Sequence, residues 1–172
     1  ANTRSLRPVL QGDHMFDVCV VGAGYSGLST ALHLAEQGHN VAIVEGARIG
    51  WGASGRNGGQ AVNGLNASLQ TIKRKYGQDT ANFAAGLVME GGEIIRERIR
   101  TYDIQCDYKP TNLFTACTDT HMRELEERLA LWQGYGLNTQ EMVSKDQIGE
   151  YVGSDMYAGG MIDHAGGHMH PL

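Results

Sequence analysis

The 172 residues carry 14 Lys and Arg against 19 Asp and Glu, a net charge of −5. With no basic run longer than Lys73-Arg74-Lys75, the chain has nothing to neutralise a phosphate lattice, which argues against a nucleic-acid partner. Hydrophobic residues at 41% and charged residues at 19% exclude a charge-extended disordered chain and fit one folded domain by length. The first 14 residues lack the apolar core of a signal peptide, and no apolar run is long enough to span a bilayer. Cys19, Cys106 and Cys117 are odd in number and far apart, which reads as reduced thiols in a cytoplasmic protein.

Glycine is the anomaly. The chain holds 24 glycines, about twice the usual share, and 11 of them fall within residues 22–64. Upstream, Asp17-Val18-Cys19-Val20-Val21 is β-branched and without alternation, as expected of a strand buried on both faces of a parallel sheet. Gly22-Ala23-Gly24-Tyr25-Ser26-Gly27 follows, and then Ala31, Leu32 and Ala35 recur at helical spacing up to Gln37. Gly38 is placed to stop that helix. A second strand of buried type, residues 40–44, leads into Glu45. In such a unit Gly22 permits the tight turn, Gly24 removes a Cβ from the path of a pyrophosphate, and Gly27 lets helix and strand pack closely. The pyrophosphate then sits on the helix N-terminal amides, and Glu45, 18 residues past Gly27, accepts from ribose hydroxyls. The alternative is an ordinary βαβ unit with a glycine turn. Residues 49–61 form a glycine-rich polar stretch. A nicotinamide-binding domain is expected to continue with helix and strand instead, while a plain linker does not usually gather Trp51, Arg56 and Asn57.

Two helices are predicted over 65–102. The first, 67–76, carries Leu69, Ile72 and Tyr76; the second, 80–99, carries Phe83, Leu87, Glu90 and Ile94 and is broken or kinked at Gly91-Gly92. Glu93, Glu97, Arg96, Arg98 and Arg100 read first as a solvated face, with a functional charge cluster as the alternative. Two short strands are expected around Thr111-Asn112 within 108–117, an amphipathic helix over 120–132 ending before Gly134, and a strand over 157–162. His164, His168 and His170 lack the ligand spacing of a zinc site, so no metal is assigned. No nucleophile motif points to hydrolysis.

The run V-V-G-A-G-Y-S-G-L-S-T-A-L-H-L-A-E-Q-G with the downstream G-A-S-G-R-N-G-G-Q resembles the FAD-dependent amine and amino-acid oxidases of the D-amino-acid-oxidase and glycine-oxidase type. Residues 90–98, 106–108 and 163–172 extend the resemblance over nearly everything after Phe16. It implies an α/β fold: a Rossmann-like FAD/NAD(P)-binding domain with a parallel βαβ sheet, followed by the start of an α+β substrate-binding domain. The division it implies is an N-terminal extension (1–15), the front of the FAD-binding domain (16–100) and the beginning of the substrate domain (101–172). FAD is then held by Gly22, Ala23, Gly24, Tyr25, Ser26, Gly27, Glu45 and Gly46, with Ala53, Ser54, Arg56, Asn57, Gly58, Gly59 and Gln60 running beside the pyrophosphate and flavin. Ser54 and the amides near Gly58 and Gly59 donate to cofactor oxygens, Arg56 and Asn57 supply charge and polar contacts, and residues 163–172 form a loop entering the next element. The implied reaction converts a small-molecule amine through an imine to an aldehyde, with peroxide formed as oxygen reoxidises the flavin. No residue is assigned as catalytic acid or base. Glycine, sarcosine or a D-amino acid is an alternative substrate, and a non-catalytic nucleotide-binding or structural fragment an alternative role. Members of this family are longer, so the chain is expected to be an N-terminal part, inactive alone, whose exposed edges are covered by a second copy or a complementary chain.

Overall fold

The computed structural model describes residues 7–171. Two compact units divide the chain: one runs to Gly58 and takes in the residues from His170, and the other is Gly59–Met169. The expected boundary near residue 100 falls inside the second unit, at the end of a helix.

In the first unit, β1 (Val18–Val21), α1 (Tyr25–Glu36) and β2 (Val41–Val44) form a parallel βαβ unit, the α/β element expected. Its register pairs Val18 with Val41 and Val21 with Val44. The ladder continues one step past β1, where Gly22 N donates to Val44 O (2.7 Å) and the chain turns with Gly22 at φ +98°. At the far end of α1, Gly38 N donates to Ala35 O (2.9 Å) and His39 N to Leu34 O (3.1 Å). With Gly38 at φ +88°, this is a Schellman stop. The strands differ from expectation in burial. Val18 and Val20 are half-buried, but Cys19 and Val21 are exposed, Val21 at 85%. In this unit a single helix layer accompanies a two-stranded sheet, so a β-branched run meant for two covered faces has one of them bare.

The second unit is built around β6 (Gly159–His168), the centre of an antiparallel sheet. Along one edge it pairs with β4 (Lys109–Ala116); along the other it pairs first with β5 (Gln140–Val143) and then with β3 (Gln60–Ala61). Helices α2 (Leu69–Tyr76), α3 (Gln78–Thr101), α4 (Asp119–Gly134) and α5 (Lys145–Val152) complete it. One apolar cluster joins Leu69, Ala85, Trp132 and Leu137, and another joins Val143, Ile148 and Ile162. Trp132 is 5% exposed, and truncating such a side chain costs about 4 kcal/mol.

Several local expectations need correction. Helix α3 runs unbroken through Gly91 and Gly92. A Cβ on Gly92 would lie 3.0 Å from Asn63 Oδ1, so that glycine serves a close approach. The buried face of α3 is Ala81 and Ala85, while Phe83 and Leu87 are 67% and 49% exposed, because the small residues fit the tight contact with α2. Instead of two strands, residues 109–116 form one, with a bulge between Pro110 and Asn112. Thr111 sits there at φ +77°, and Asn112 Nδ2 bonds Ala61 O (2.7 Å), fixing the distortion. Gly134 lies inside α4, and Gly136 at φ +95° follows the helix instead. The strand expected over 157–162 reaches His168, so 163–168 is sheet and not a loop. Neither β5 nor α5 was anticipated; α5 opens on Ser144, whose N–H donates to Gln147 Oε1 (3.2 Å), a capping-box bond.

Candidate functional site

The first unit brings the glycine turn together with the end of β2 and the loop 46–57 that follows it. Gly27 packs so closely on the turn that an added Cβ would fall on the Gly22 carbonyl oxygen. Gly24 leaves space of a different kind, since a Cβ there would stand 3.1 Å from Ser54 Oγ. That hydroxyl accepts from Tyr25 N (3.0 Å), one of the first-turn amides of α1 that have no partner within the helix. The amide of buried Ala23 donates to Glu45 Oε2 (2.8 Å), and Ala47 N donates to Glu45 Oε1 (2.9 Å). The Ala23 amide chiefly, and the Ala47 amide next, hold the exposed Glu45 carboxyl below the usual carboxylate range. Each carboxylate oxygen keeps another lone pair for a ribose hydroxyl.

Two further ties fasten the loop. Gly50 N donates to Ala23 O (3.0 Å). Asn57 Nδ2 bonds Tyr25 Oη (2.9 Å) and the carbonyls of Ala53 (3.1 Å) and Ser54 (2.8 Å). Ala53–Gly55 form a short 3-10 turn. Arg56 stacks over the Trp51 ring at 4.4 Å from its centroid, and Arg48 lies over the same ring at 4.6 Å.

Thus Gly22, Ala23, Gly24, Tyr25, Gly27, Glu45, Ser54 and Asn57 form one constellation of hydrogen bonds and close backbone approaches. Ser26, Gly46 and Gly58 lie exposed or partly exposed around it, and a Cβ on Gly46 or Gly58 would meet nothing within 4 Å. Gly59 and Gln60 belong to the second unit, where Gly59 O accepts from Met169 N (2.8 Å) and Gln60 pairs with His168. Sequence reasoning placed Gly50 in the glycine strip without its bond to Ala23 and left Trp51 without a role; the signal for Trp51 was an arginine at each end of a short glycine-rich stretch. The constellation suits a dinucleotide: a turn open at Gly24, helix amides for a diphosphate and a fixed acid for a ribose.

In the second unit Asp163 is 0% exposed. It accepts from Asn63 Nδ2 (3.1 Å), Gln140 Nε2 (3.1 Å), Thr139 Oγ1 (3.0 Å) and Ala165 N (3.0 Å). Burial pulls the Arg128 guanidinium below its ordinary pKa, and the attraction of Asp163 works against that shift. Arg128 also stacks on Phe114 at 4.4 Å. The acidic and basic residues of α3 are more than a solvated face: Glu93 pairs with Arg96 (2.7 Å) and Arg100 (3.1 Å), while Arg96 reaches the Ala165 carbonyl. Arg96 lines a cavity of about 220 Å³ with Asn63, Gly92, Ile95 and Tyr108. His164 bonds Glu141 (2.9 Å), and among the described residues no group of three or more His, Cys, Asp or Glu is placed to hold a metal.

Comparison with known proteins converges on the same fold. A family profile, DAO, described as FAD dependent oxidoreductase, matches residues 17–172. The chain is 52% identical over 156 residues to gamma-glutamylputrescine oxidoreductase of Escherichia coli, an alignment covering 91% of this chain and 37% of that protein. It is 42% identical to a probable oxidoreductase OrdL of Haemophilus influenzae, over 96% of this chain and 38% of that one. Glycine oxidase from Geobacillus kaustophilus shares the fold at a TM-score of 0.64 and 24% identity, over 92% of this chain and 42% of that structure. The chain therefore spans somewhat over a third of the length of the curated relatives it matches. No helix among the described residues is long and apolar enough to cross a membrane.

Proposed function

The chain belongs to the DAO family of FAD-dependent oxidoreductases, and from that premise we propose that the whole protein oxidises gamma-glutamylputrescine at its amine carbon. The products are the aldehyde, ammonia and hydrogen peroxide, and the role is putrescine catabolism. The observation that carries this reading is the 52% identity to the Escherichia coli oxidoreductase over 91% of the chain.

In this reading the residues of the chain bind and orient. The turn of Gly22, Ala23, Gly24, Tyr25, Ser26 and Gly27 presents the first amides of α1 to the diphosphate, where the helix dipole favours negative charge. Glu45, steadied by two backbone amides, receives the ribose hydroxyls, with Gly46 beside it. Ala53, Ser54, Arg56, Asn57, Gly58, Gly59 and Gln60 line the path toward the flavin end. When bound, the flavin takes up the two electrons removed from the amine. Substrate choice within the amine class is assigned to gamma-glutamylputrescine over glycine, sarcosine or a D-amino acid.

Exposed apolar side chains such as Val21 and Phe83 favour a covering surface, from a second copy or a complementary chain. The free cysteines favour the cytoplasm.

The test is a peroxide-release assay on the whole protein, purified with its visible spectrum recorded. Flavin absorbance together with turnover of gamma-glutamylputrescine, well above that of glycine, sarcosine and D-amino acids, is expected. A yellow protein preferring glycine overturns the substrate, and a colourless one that rejects added FAD overturns the cofactor assignment.

A further inference from the structure

Trp51 lies between two points where the loop is tied to the glycine turn. Gly50 N donates to Ala23 O (3.0 Å) just before it, and Ser54 Oγ accepts from Tyr25 N (3.0 Å) three residues after it. The indole is 47% exposed and carries the guanidinium groups of both Arg48 (4.6 Å) and Arg56 (4.4 Å). Neither arginine makes an ion pair with a carboxylate among the described residues.

Two like charges gathered on one ring repel each other, and the negative face of the indole offsets only part of that. A planar guanidinium stacked on an aromatic ring keeps its edge N–H groups available to an oxyanion. We propose that Trp51 is a positioning residue for cofactor binding, holding Arg48 and Arg56 as a cationic pair beside the dinucleotide turn and so adding a charge-dependent part to the affinity for the diphosphate of FAD. The proposal rests on the FAD reading above, whose ligand supplies the anion. It differs from a plain brace of the loop, which affects affinity without changing its response to salt.

The test strips flavin from the whole protein and titrates FAD back at low and high ionic strength, following flavin fluorescence. Wild-type affinity falls as salt screens the arginine pair. Trp51→Ala binds about fivefold more weakly at low salt and shows a shallower salt dependence, so the two proteins converge at high salt. Trp51→Phe keeps an aromatic face and restores most of both properties. Arg48→Gln with Arg56→Gln flattens the salt dependence while Trp51 stays in place. A Trp51→Ala protein with wild-type affinity and wild-type salt dependence overturns the proposal alone, as does an unaltered salt dependence in the double arginine variant. A wild-type protein that takes up no FAD defeats the FAD reading and this proposal with it.

Discussion

Gly27 and Gly58 sit in the same glycine-rich half of the chain and are constrained by different things. A methyl group on Gly27 runs into the backbone carbonyl of Gly22, which cannot swing aside as a side chain would. Gly27→Ala is therefore expected to destabilise the fold by about 3 kcal/mol or more, measured by denaturant unfolding of the whole protein. A methyl group on Gly58 meets nothing within 4 Å, so Gly58→Ala should leave stability within about 0.5 kcal/mol of wild type. If that variant nevertheless binds FAD more weakly, the space over Gly58 belongs to the cofactor; unchanged FAD affinity removes Gly58 from the binding strip. Glu45 separates the two requirements by pH. Its folded carboxyl titrates below its unfolded value, so its stabilising bonds to Ala23 and Ala47 are fully present above the unfolded value and are lost as pH falls through the folded one. The gap in thermal midpoint between wild type and Glu45→Gln should stand open at pH 7 and narrow as pH falls through about 4 and below. A gap independent of pH would show that the carboxylate charge does nothing there. The roles of Gly22 and Gly27 were legible because the positive φ of the one and the close approach of the other are local backbone demands. The bond from Gly50 to Ala23 was not, because it closes only after the loop folds back across 27 residues.

At the scale of elements, β6 is where sequence reading stopped short. Its ten residues include four glycines and two histidines, a composition that opposes strand propensity, so only 157–162 was read as strand. The packing explains the glycines. A Cβ on Gly160 would stand 2.6 Å from Phe114 O, and one on Gly167 would stand 2.6 Å from the Tyr108 ring. The strand is flanked on both edges and needs bare backbone for its neighbours to approach. Asp163 was equally hidden, since its partners Asn63, Thr139 and Gln140 come from segments that meet only through the sheet. A buried carboxylate with four donors is stabilised only while every donor faces an acceptor. Asp163→Asn turns an amide N–H₂ toward those donors and is expected to cost about 2–3 kcal/mol. Arg128→Met removes the half-buried positive charge near the carboxylate together with its bond to the Asn63 carbonyl, and is expected to lower stability. Because the two act on one network, the double variant should lose less than the sum of the singles. Additive losses in a double-mutant cycle would show that Arg128 acts only through Phe114 and the Asn63 carbonyl, independently of Asp163.

On the scale of the whole chain, the two units differ in how much of their structure is covered. β6 has partners along both edges, whereas among the described residues β1 and β2 pair only with each other. A two-stranded sheet is marginal in water without a further layer. Exposed Val21 (85%) marks the bare face of that sheet, and Phe83 (67%), Leu87 (49%) and Ile95 (38%) share one stripe of α3 through their spacing of four and eight residues. Apolar surface of this extent drives association once protein concentration allows it. Expressed by itself, the 172-residue chain should scatter light above its monomer mass of 18.6 kDa, bind a hydrophobic dye and release no peroxide from gamma-glutamylputrescine. Hydrogen exchange should divide it along the unit boundary, with amides of β6 slowest and those of β1 and β2 the fastest of the strands. FAD bound at the turn would slow exchange in residues 22–27 and 45–57 before it affected β6. A monodisperse monomer with β1 protected as well as β6 would mean that the first unit is stable without any covering surface. The bare face of its sheet would then have to be explained by something other than a missing layer.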